Sequence, residues 1–328
     1  MYIMKFAPRF VEKPWGGQTI KTVREDVPAE LKNVGEMWSI SAVPGDVTVV
    51  ENGAFAGVGL DELCTKYGAQ LLGRHVVETF GTVFPMLVKL IDAAENLSVQ
   101  VHPNDSQARE IQGVGQDCGT VFGKTEMWYI LRRAEGASLI NGFERALPKE
   151  EYKARVEDNT FMDYLHVQPV EPGDVYFIPS GRVHGIGSGV FLAEIQQSSD
   201  ITYRIYDYGR PRELHTEQAA KVVDFSAVKD LKSEYETVDD ELVNVVDSRY
   251  FSTSLMKCTK ETELALAQYD SFSIIMCTGG KMRIDATDAE NDGVVLDTYE
   301  CCLIPADVAS VKVTPLEGEV ELVHTFIP

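Results

Sequence analysis

The chain consists mostly of short segments in which hydrophobic and polar residues alternate, with glycine and proline between them. Alternation with period two is typical of β-strands that bury one face, because successive side chains point to opposite sides of a sheet. Aromatic and β-branched residues, which favour strands, fill many of the runs. The pattern predicts a mainly β protein built from jelly-roll barrels.

Helical patterns are confined to four places, which we expect to be short helices decorating the β framework. They are residues 59–73, the stretch after Asn104, residues 148–158 and residues 213–223. An acidic connection at 232–241 precedes a second set of predicted strands, at residues 250–256, 271–278, 281–284, 301–304 and 311–314.

The segment 95–102 places two metal-binding side chains on one predicted strand. Alternation puts Ser98, Gln100 and His102 on one face, and the hydrophobic residues between them form the other. One strand can therefore offer two donors, Gln100 and His102, to the same ion.

Two further donors lie in later segments. Glu126 belongs to the predicted strand 123–131, where Lys124, Glu126 and Trp128 share a face. His184 ends a short strand and a Pro/Gly turn. Each residue alone is more often a packing, pairing or turn residue, but the four donors together predict one divalent metal ion in a barrel.

Two cationic residues stand out from their surroundings. Lys89 interrupts the hydrophobic run 84–91, where a lysine is costly unless it is paired, functional or able to reach water at an edge. Alternation in the segment 201–206 places Arg204 on a polar face with Thr202 and Tyr206. Its guanidinium could hold anionic oxygens bidentately, or it could simply pair with Asp200 or Asp207 on a solvated strand.

Composition narrows the class of protein. Of 328 residues, 44% are hydrophobic and 25% charged, as in ordinary soluble globular proteins. The net charge of -21 argues against nucleic acid or an anionic membrane as the main partner. An anionic substrate would need a local cationic cluster, and the segment 203–212 has three arginines and one aspartate, a local charge of +2.

Several features of the sequence predict that the protein is cytoplasmic. The N-terminal residues lack the apolar run of a signal peptide, and no apolar stretch approaches the length that spans a membrane. The six cysteines show no Cys-x-x-Cys spacing, and adjacent Cys301 and Cys302 are poorly suited to a mutual disulfide, so reduced thiols are expected.

The turn before His184 resembles a motif of the cupin superfamily. Residues 173–184 match its second motif, Gly-x5-Pro-x-Gly-x2-His, at every fixed position. The first cupin motif usually supplies His-x-His and then Glu, and here Gln100 stands in the place of the first His. The resemblance implies two cupin-type barrels. We expect a metal-binding catalytic domain with helical insertions at 1–240 and a degenerate, structural cupin-like β domain at 241–328.

Over most of residues 10–215 the chain resembles the type I mannose-6-phosphate isomerases, especially their short bacterial members. The matching segments are 13–17, 35–41, 84–89, 97–103, 123–126, the turn to His184 and 195–210, and Gln-Val-His-Pro at 100–103 is the most diagnostic. Longer members carry His-Lys-Pro-Glu where this chain has Gly-Lys-Thr-Glu at 123–126, and their large helical insertion is missing here.

The resemblance implies a zinc-dependent isomerase that interconverts mannose 6-phosphate and fructose 6-phosphate through a cis-enediol. It makes Gln100, His102, Glu126 and His184 the ligands of one zinc ion, and Arg204 essential to turnover. Lys89 and Lys124 match lysines of the family's pocket, and we expect Ser98 to contact the substrate with them. Glu194 and Asp200 match two acidic residues proposed for proton transfer, of which Glu194 is slightly favoured.

Two other functions are compatible with these motifs. One is a different metal-dependent sugar isomerase or oxygenase, although glutamine in place of the usual histidine speaks against an oxygenase. The other is a sugar-phosphate-binding metal cupin without turnover. The sequence leaves the oligomeric state open.

Overall fold

The computed structural model describes residues 1–113, 120–287 and 293–328. Its strands are β1 Met4–Ala7, β2 Arg9–Gly17, β3 Val34–Ile40, β4 Val49–Val50, β5 Met86–Ala93, β6 Val99–Val101, β7 Glu126–Arg133, β8 Ser138–Phe143, β9 Leu165–Pro169, β10 Val175–Ile178, β11 His184–Ile186, β12 Val190–Gln197, β13 Tyr203–Tyr206, β14 Val243–Asp247, β15 Ser252–Cys258, β16 Thr262–Ala265, β17 Ser273–Gly279, β18 Lys281–Ala286, β19 Val294–Asp297, β20 Cys301–Ile304, β21 Ser310–Pro315 and β22 Val320–Phe326.

The helices are fewer and short. They are α1 Thr19–Val23, α2 Leu60–Tyr67, α3 Ala69–Leu72, α4 Arg74–Phe80, α5 Asp105–Gln112, α6 Tyr152–Glu157 and α7 Thr216–Val222, with 3-10 turns at Gly53–Phe55, Lys149–Glu151, Phe161–Tyr164 and Ala267–Tyr269. Mainly β architecture with a few decorating helices is therefore confirmed. In the part of the chain that the structure describes, no helix is long and apolar enough to cross a membrane.

All four predicted helical regions contain helix. The region 59–73 is divided at Gly68, whose φ of +45° suits glycine and ends α2 before α3 begins. Helix α5 starts directly after Asn104, as expected, while the short helices α1 and α4 were not predicted. The predicted strand 301–304 coincides with β20, whereas β14, β16, β19 and β22 were missed.

The chain divides into two compact units. The first comprises Met1–Arg9, Trp38–Val88 and Glu234–Pro328, and the second comprises Phe10–Met37 and Lys89–Ser233. These bounds differ from the expected division at residue 240, because two N-terminal segments belong with the C-terminal strands. That the C-terminal part has only a structural role stays a prediction.

The first unit contains two antiparallel sheets. One has the order β14-β15-β22-β17-β20-β1-β4 and the other β16-β21-β18-β19. A single hydrophobic cluster takes side chains from both sheets, including Met256 and Ile275 from the first and Ile284 and Val313 from the second. The cysteines of the described residues are all buried and none is joined in a disulfide, as expected for reduced thiols, and Cys118 lies outside those residues.

The second unit repeats this plan. Its sheets have the orders β10-β7-β12-β5-β2-β3 and β13-β6-β11-β8-β9, and one end of β2, of β3 and of β5 extends past the bounds of the unit. One hydrophobic cluster joins the inner faces of the two sheets, with Trp128 and Leu192 from the first and Leu139 and Ile186 from the second. A separate cluster packs α6 and α7 against the five-stranded sheet through residues such as Tyr152.

Candidate metal and substrate site

The five-stranded sheet brings three of the predicted donors together. His184 of β11 pairs directly with Gln100 of β6, and His102 follows β6. Val99 and Val101 are buried in the cluster beneath α6 and α7, on the opposite face of the strand. The alternation predicted for this strand is therefore confirmed, and its polar face carries the donors.

Glu126 reaches the same point from the facing sheet, at the start of β7. Its carboxylate oxygens lie 3.5 Å from Nε2 of His102 and 3.5 Å from Nε2 of His184. One ligand atom from each of these three residues lies within 4.8 Å of the others, and all three side chains are buried. The amide nitrogen of Gln100 is 3.4 Å from Nε2 of His184, so the fourth predicted donor adjoins the set.

Hydrogen bonds orient both imidazoles toward a common centre. Nδ1 of His102 is 2.8 Å from the carbonyl oxygen of Ile201, and Nδ1 of His184 is 2.8 Å from that of Arg182. A carbonyl can only accept, so each Nδ1 carries the proton and each Nε2 presents a lone pair. The two Nε2 atoms are 3.1 Å apart. Two lone pairs this close, beside a buried Glu126 oxygen that has no hydrogen-bond partner, fit a shared cation.

Electrostatics keep these histidines neutral. Burial, reinforced by the Lys124 ammonium, lowers the pKa of His184 to about 3. The same two causes hold the pKa of His102 well below its usual value. Only a neutral imidazole can coordinate a metal, so the surroundings favour the ligand form.

A second buried cluster of charges adjoins the donors. The Lys124 ammonium bonds to Glu126 and lies 3.2 Å from Nε2 of His102. Oε1 of Glu194 is 3.9 Å from that ammonium and 3.4 Å from the Lys89 ammonium. Burial alone would lower the pKa of Lys124, but the carboxylates of Glu126 and Glu194 raise it. Both lysines are buried beside carboxylates, and an edge lysine reaching water is excluded for Lys89.

The sequence interpretation assigned no role to two members of this cluster. Trp128 donates from Nε1 to Oε2 of Glu194 at 3.0 Å, and a carboxylate oxygen of Glu36 lies 4.0 Å from the Lys89 ammonium. Glu36 occupies β3, in which every residue is buried. A strand buried on both faces shows no polar alternation, so only the burial of a charge in a hydrophobic run could have pointed to Glu36.

The segment carrying Lys124 and Glu126 is held by Asp105 in the first turn of α5. Oδ1 of Asp105 accepts from the amide of Gly123 at 2.7 Å and from Nε2 of Gln197 at 2.8 Å. The side-chain oxygen of Gln197 in turn accepts from the amide of Thr125 at 2.9 Å. Backbone approach at Gly123 is so close that a Cβ there would meet Pro103 and Asn104.

Arg204 lies beside the donors, on the strand that neighbours β6. It pairs with Gln100, its Nη1 donates to the Glu213 carbonyl at 2.8 Å, and its Nε is buried without a partner. Within the described residues Arg204 makes no ion pair with Asp200 or Asp207. The expected alternation ends here, because a register shift between Arg204 and Tyr206 turns Tyr206 toward the hydrophobic cluster beneath α7.

The two acidic candidates occupy different environments. Glu194 is buried within the cluster, whereas Asp200 is exposed in the connection between β12 and β13 and bonds to Thr202 only through its carbonyl oxygen. Ser98 lies with the donors, since its hydroxyl is 3.3 Å from the Gln100 side-chain oxygen. The structure thus gathers all the predicted residues except Asp200 around or beside one buried site.

Comparison with known proteins gives a consistent result. Residues 3–119 match a family model described as phosphomannose isomerase type I, catalytic domain. Mannose-6-phosphate isomerase of Streptococcus mutans is 42% identical over 219 residues, which is 65% of either chain. Mannose-6-phosphate isomerase ManA of Bacillus subtilis is 34% identical over 288 residues, covering 85% of this chain and 86% of that one. A crystal structure of mannose 6-phosphate isomerase from Bacillus subtilis has a TM-score of 0.82 at 29% identity and covers 99% of both chains.

Proposed function

The chain belongs to the type I phosphomannose isomerase family, and on that basis we propose that it acts as a mannose-6-phosphate isomerase at the buried site just described. It is an aldose-ketose isomerase that interconverts mannose 6-phosphate and fructose 6-phosphate. The observation that supports placing the reaction here is the convergence of two neutral imidazoles and a carboxylate on one point, with Arg204 and two buried lysines around it.

Gln100, His102, Glu126 and His184 hold the metal ion, and we assign it as zinc. Two nitrogen donors and one carboxylate form a set that zinc accepts readily, and the lone pairs of His102 and His184 already face one another. A bound zinc ion supplies Lewis acidity toward the oxygens of the sugar. One anionic ligand among four leaves the ion a net positive charge, which suits that task.

The reaction moves a proton from C2 of the aldose to C1 of the ketose through a cis-enediol, so it needs one group that takes and returns the proton. We assign this role to Glu194. Its carboxylate lies inside the buried cluster, while that of Asp200 is exposed. Lys89 and Lys124 flank Glu194, and their ammonium groups can donate hydrogen bonds to the sugar oxygens, on which negative charge develops during the reaction. Ser98 is a further contact.

Arg204, which pairs with Gln100 from β13, and two arginines in the connection after β13 supply the cationic region that an anionic sugar phosphate requires. Arg204 has a buried Nε without a partner, and Arg210 and Arg212 lie in the next few residues. Guanidinium groups match phosphate oxygens bidentately, which is why we place the phosphate group at these three side chains.

A coupled assay with metal analysis tests the assignment. The zinc-loaded chain should convert mannose 6-phosphate to fructose 6-phosphate, and about one zinc per chain should copurify. His102→Ala should lose both metal and activity, because a buried site with one imidazole missing binds zinc poorly. His166→Ala, on strand β9 of the same unit, is the matched control and should keep both. No product from the metal-replete chain would refute the function, and unchanged metal content in His102→Ala would refute the ligand set.

A further inference from the structure

The connection after β13 contains a carboxylate that the isomerase mechanism leaves unused. Asp207 is buried, with 3% of its surface exposed, yet it lies between two arginines rather than in a hydrophobic core. Its oxygens accept from Nε and Nη2 of Arg210 at 3.1 and 2.8 Å, and from Nε and Nη2 of Arg212 at 2.6 and 2.6 Å. One carboxylate therefore holds two guanidinium groups.

Both arginines use the same edge to bind Asp207. Because Nε and Nη2 face the carboxylate, Nη1 of each guanidinium points elsewhere. Nη1 of Arg210 is 3.5 Å from a carboxylate oxygen of Glu95, and Nη1 of Arg212 has no ion-pair or hydrogen-bond partner within the described residues. Nη2 of Arg210 also donates to the carbonyl of Asn96 at 2.6 Å, which ties this group to the chain entering β6. Each of these two fixed guanidinium groups therefore keeps an Nη1 that does not bind Asp207 and can donate to a ligand.

Asp207 is ionised despite its burial. Burial alone would raise the pKa of this carboxyl, but hydrogen bonds from Arg212 and Arg210 lower it below its usual value. Arg204 lies close enough to interact electrostatically with Arg212. Burial and the charge of Arg212 both lower the pKa of the Arg204 guanidinium. Two arginines thus bind one carboxylate and a third lies near them, in a chain whose net charge is -21.

We propose that Asp207 is a positioning residue for substrate binding, which holds Arg210 and Arg212 so that, with Arg204, they receive the phosphate group of the sugar phosphate. The proposal rests on the isomerase function above and names the residue that prepares its phosphate site. Asp207 itself touches no reacting atom. Its contribution is to fix two flexible cationic side chains before the substrate arrives, which lowers the entropic cost of binding.

A positioning role and a simple effect of charge predict opposite changes in phosphate affinity for the substitution Asp207→Asn. Asp207→Asn removes a negative charge next to a phosphate site, and charge alone would therefore tighten phosphate binding. It also removes the carboxylate that orders both arginines, and loss of order weakens binding. If Asp207 positions the arginines, the neutral variant binds phosphate more weakly although the cluster has become more positive.

The test combines steady-state kinetics with titration of inorganic phosphate into the zinc-loaded chain by calorimetry. For Asp207→Asn we expect KM for mannose 6-phosphate and Kd for inorganic phosphate each to rise about tenfold, with kcat within about threefold and zinc content unchanged. Arg212→Lys keeps the charge but loses the paired Nε and Nη2 donors, so it should show the same split. Asp224→Asn is the control and should match the unsubstituted chain, because Asp224 is exposed and its carboxylate accepts only from the amide of Ser226 in its own turn.

Each contrary outcome has a distinct meaning. Phosphate binding as tight as, or tighter than, that of the unsubstituted chain in both Asp207→Asn and Arg212→Lys would overturn the positioning role. If Asp207→Asn fails to fold, Arg212→Lys alone decides the question by the same criterion. Absence of isomerisation by the unsubstituted chain would refute the function instead, while the phosphate titration would still show whether Asp207 orders the arginines.

Discussion

Around the metal donors, charged side chains of alternating sign are buried side by side. Lys89 lies between Glu36 and Glu194, and Lys124 lies between Glu194 and Glu126. A buried charge is tolerated only when its partners remain, and removing one partner from such a pair typically costs about 3–5 kcal/mol. The sequence showed that Lys89 is an unusual charge within the hydrophobic run 84–91. It did not show the carboxylate partners of Lys89, because these come from other strands.

His324 provides a prediction at the same scale. It is fully buried in β22, its Nε2 is 3.0 Å from the Ser273 hydroxyl, and burial lowers the pKa of His324 to about 4. The unfolded chain protonates this histidine near its ordinary pKa of 6.5, so it takes up protons before the folded chain does. Stability should fall as pH decreases from about 6.5 to about 4, with no further loss below that from this group.

The measurement is urea unfolding at pH 7 and pH 4.5. The two pKa values imply that His324 contributes about 2–3 kcal/mol to the loss of stability between these conditions. His324→Gln should reduce the pH-dependent loss by that amount. Equal pH dependence in His324→Gln and the unsubstituted chain would contradict the prediction.

Among the secondary-structure elements, α5 has the clearest link from sequence to site. It follows His102 after two residues, and its first turn contains Asp105, which holds the segment of Lys124 and Glu126. Asn104 and Gln107 form a capping box, in which each side chain accepts from the backbone amide of the other. A stable helix start therefore helps place Glu126, a proposed metal ligand, and Lys124, which lie about twenty residues further along the chain.

Asn104→Ala tests this cap. Loss of the acceptor for the Gln107 amide should lower the free energy of unfolding by about 1 kcal/mol, the usual cost of deleting such a cap. Asn104→Asp retains an acceptor and should stay close to the unsubstituted chain. Urea unfolding at neutral pH gives the free energy of unfolding of both variants. If the alanine variant is as stable as the unsubstituted chain, the Asn104 side chain does not stabilise the start of α5.

For the whole molecule, the donors connect two sheets of one unit. Gln100, His102 and His184 come from the five-stranded sheet and Glu126 from the six-stranded sheet. The proposed metal ion would link these sheets, and any ligand that binds only the folded state stabilises it. The second unit should consequently be the part of the molecule whose stability follows metal concentration.

Chelation tests this coupling. Removing the metal should lower Tm, and adding zinc back should restore it, with a stabilisation of about 4 kcal/mol when free zinc exceeds Kd a thousandfold. His102→Ala should show little response to chelator or zinc, while His166→Ala should behave like the unsubstituted chain. Differential scanning calorimetry gives the result, and an equal metal response in His102→Ala would contradict the coupling.

Individual residues show how much of the structure could be predicted from strand alternation in the sequence. Strand alternation correctly separated Gln100 and His102 from Val99 and Val101, because the period of a strand is a local property of the backbone. It failed at Tyr206, where a register shift interrupts β13. It also offered no signal for Glu36, since β3 is buried on both faces.

By itself, the sequence determined the β architecture, the four candidate donors and the presence of a cationic segment, because these depend on residue type and local spacing. Only the tertiary structure decided that Nε2 of His102 and of His184 face each other, that Glu194 is buried and Asp200 exposed, and that Asp207 holds Arg210 and Arg212. Those facts depend on pairing between strands distant in sequence and on the water that packing excludes, and local spacing encodes neither.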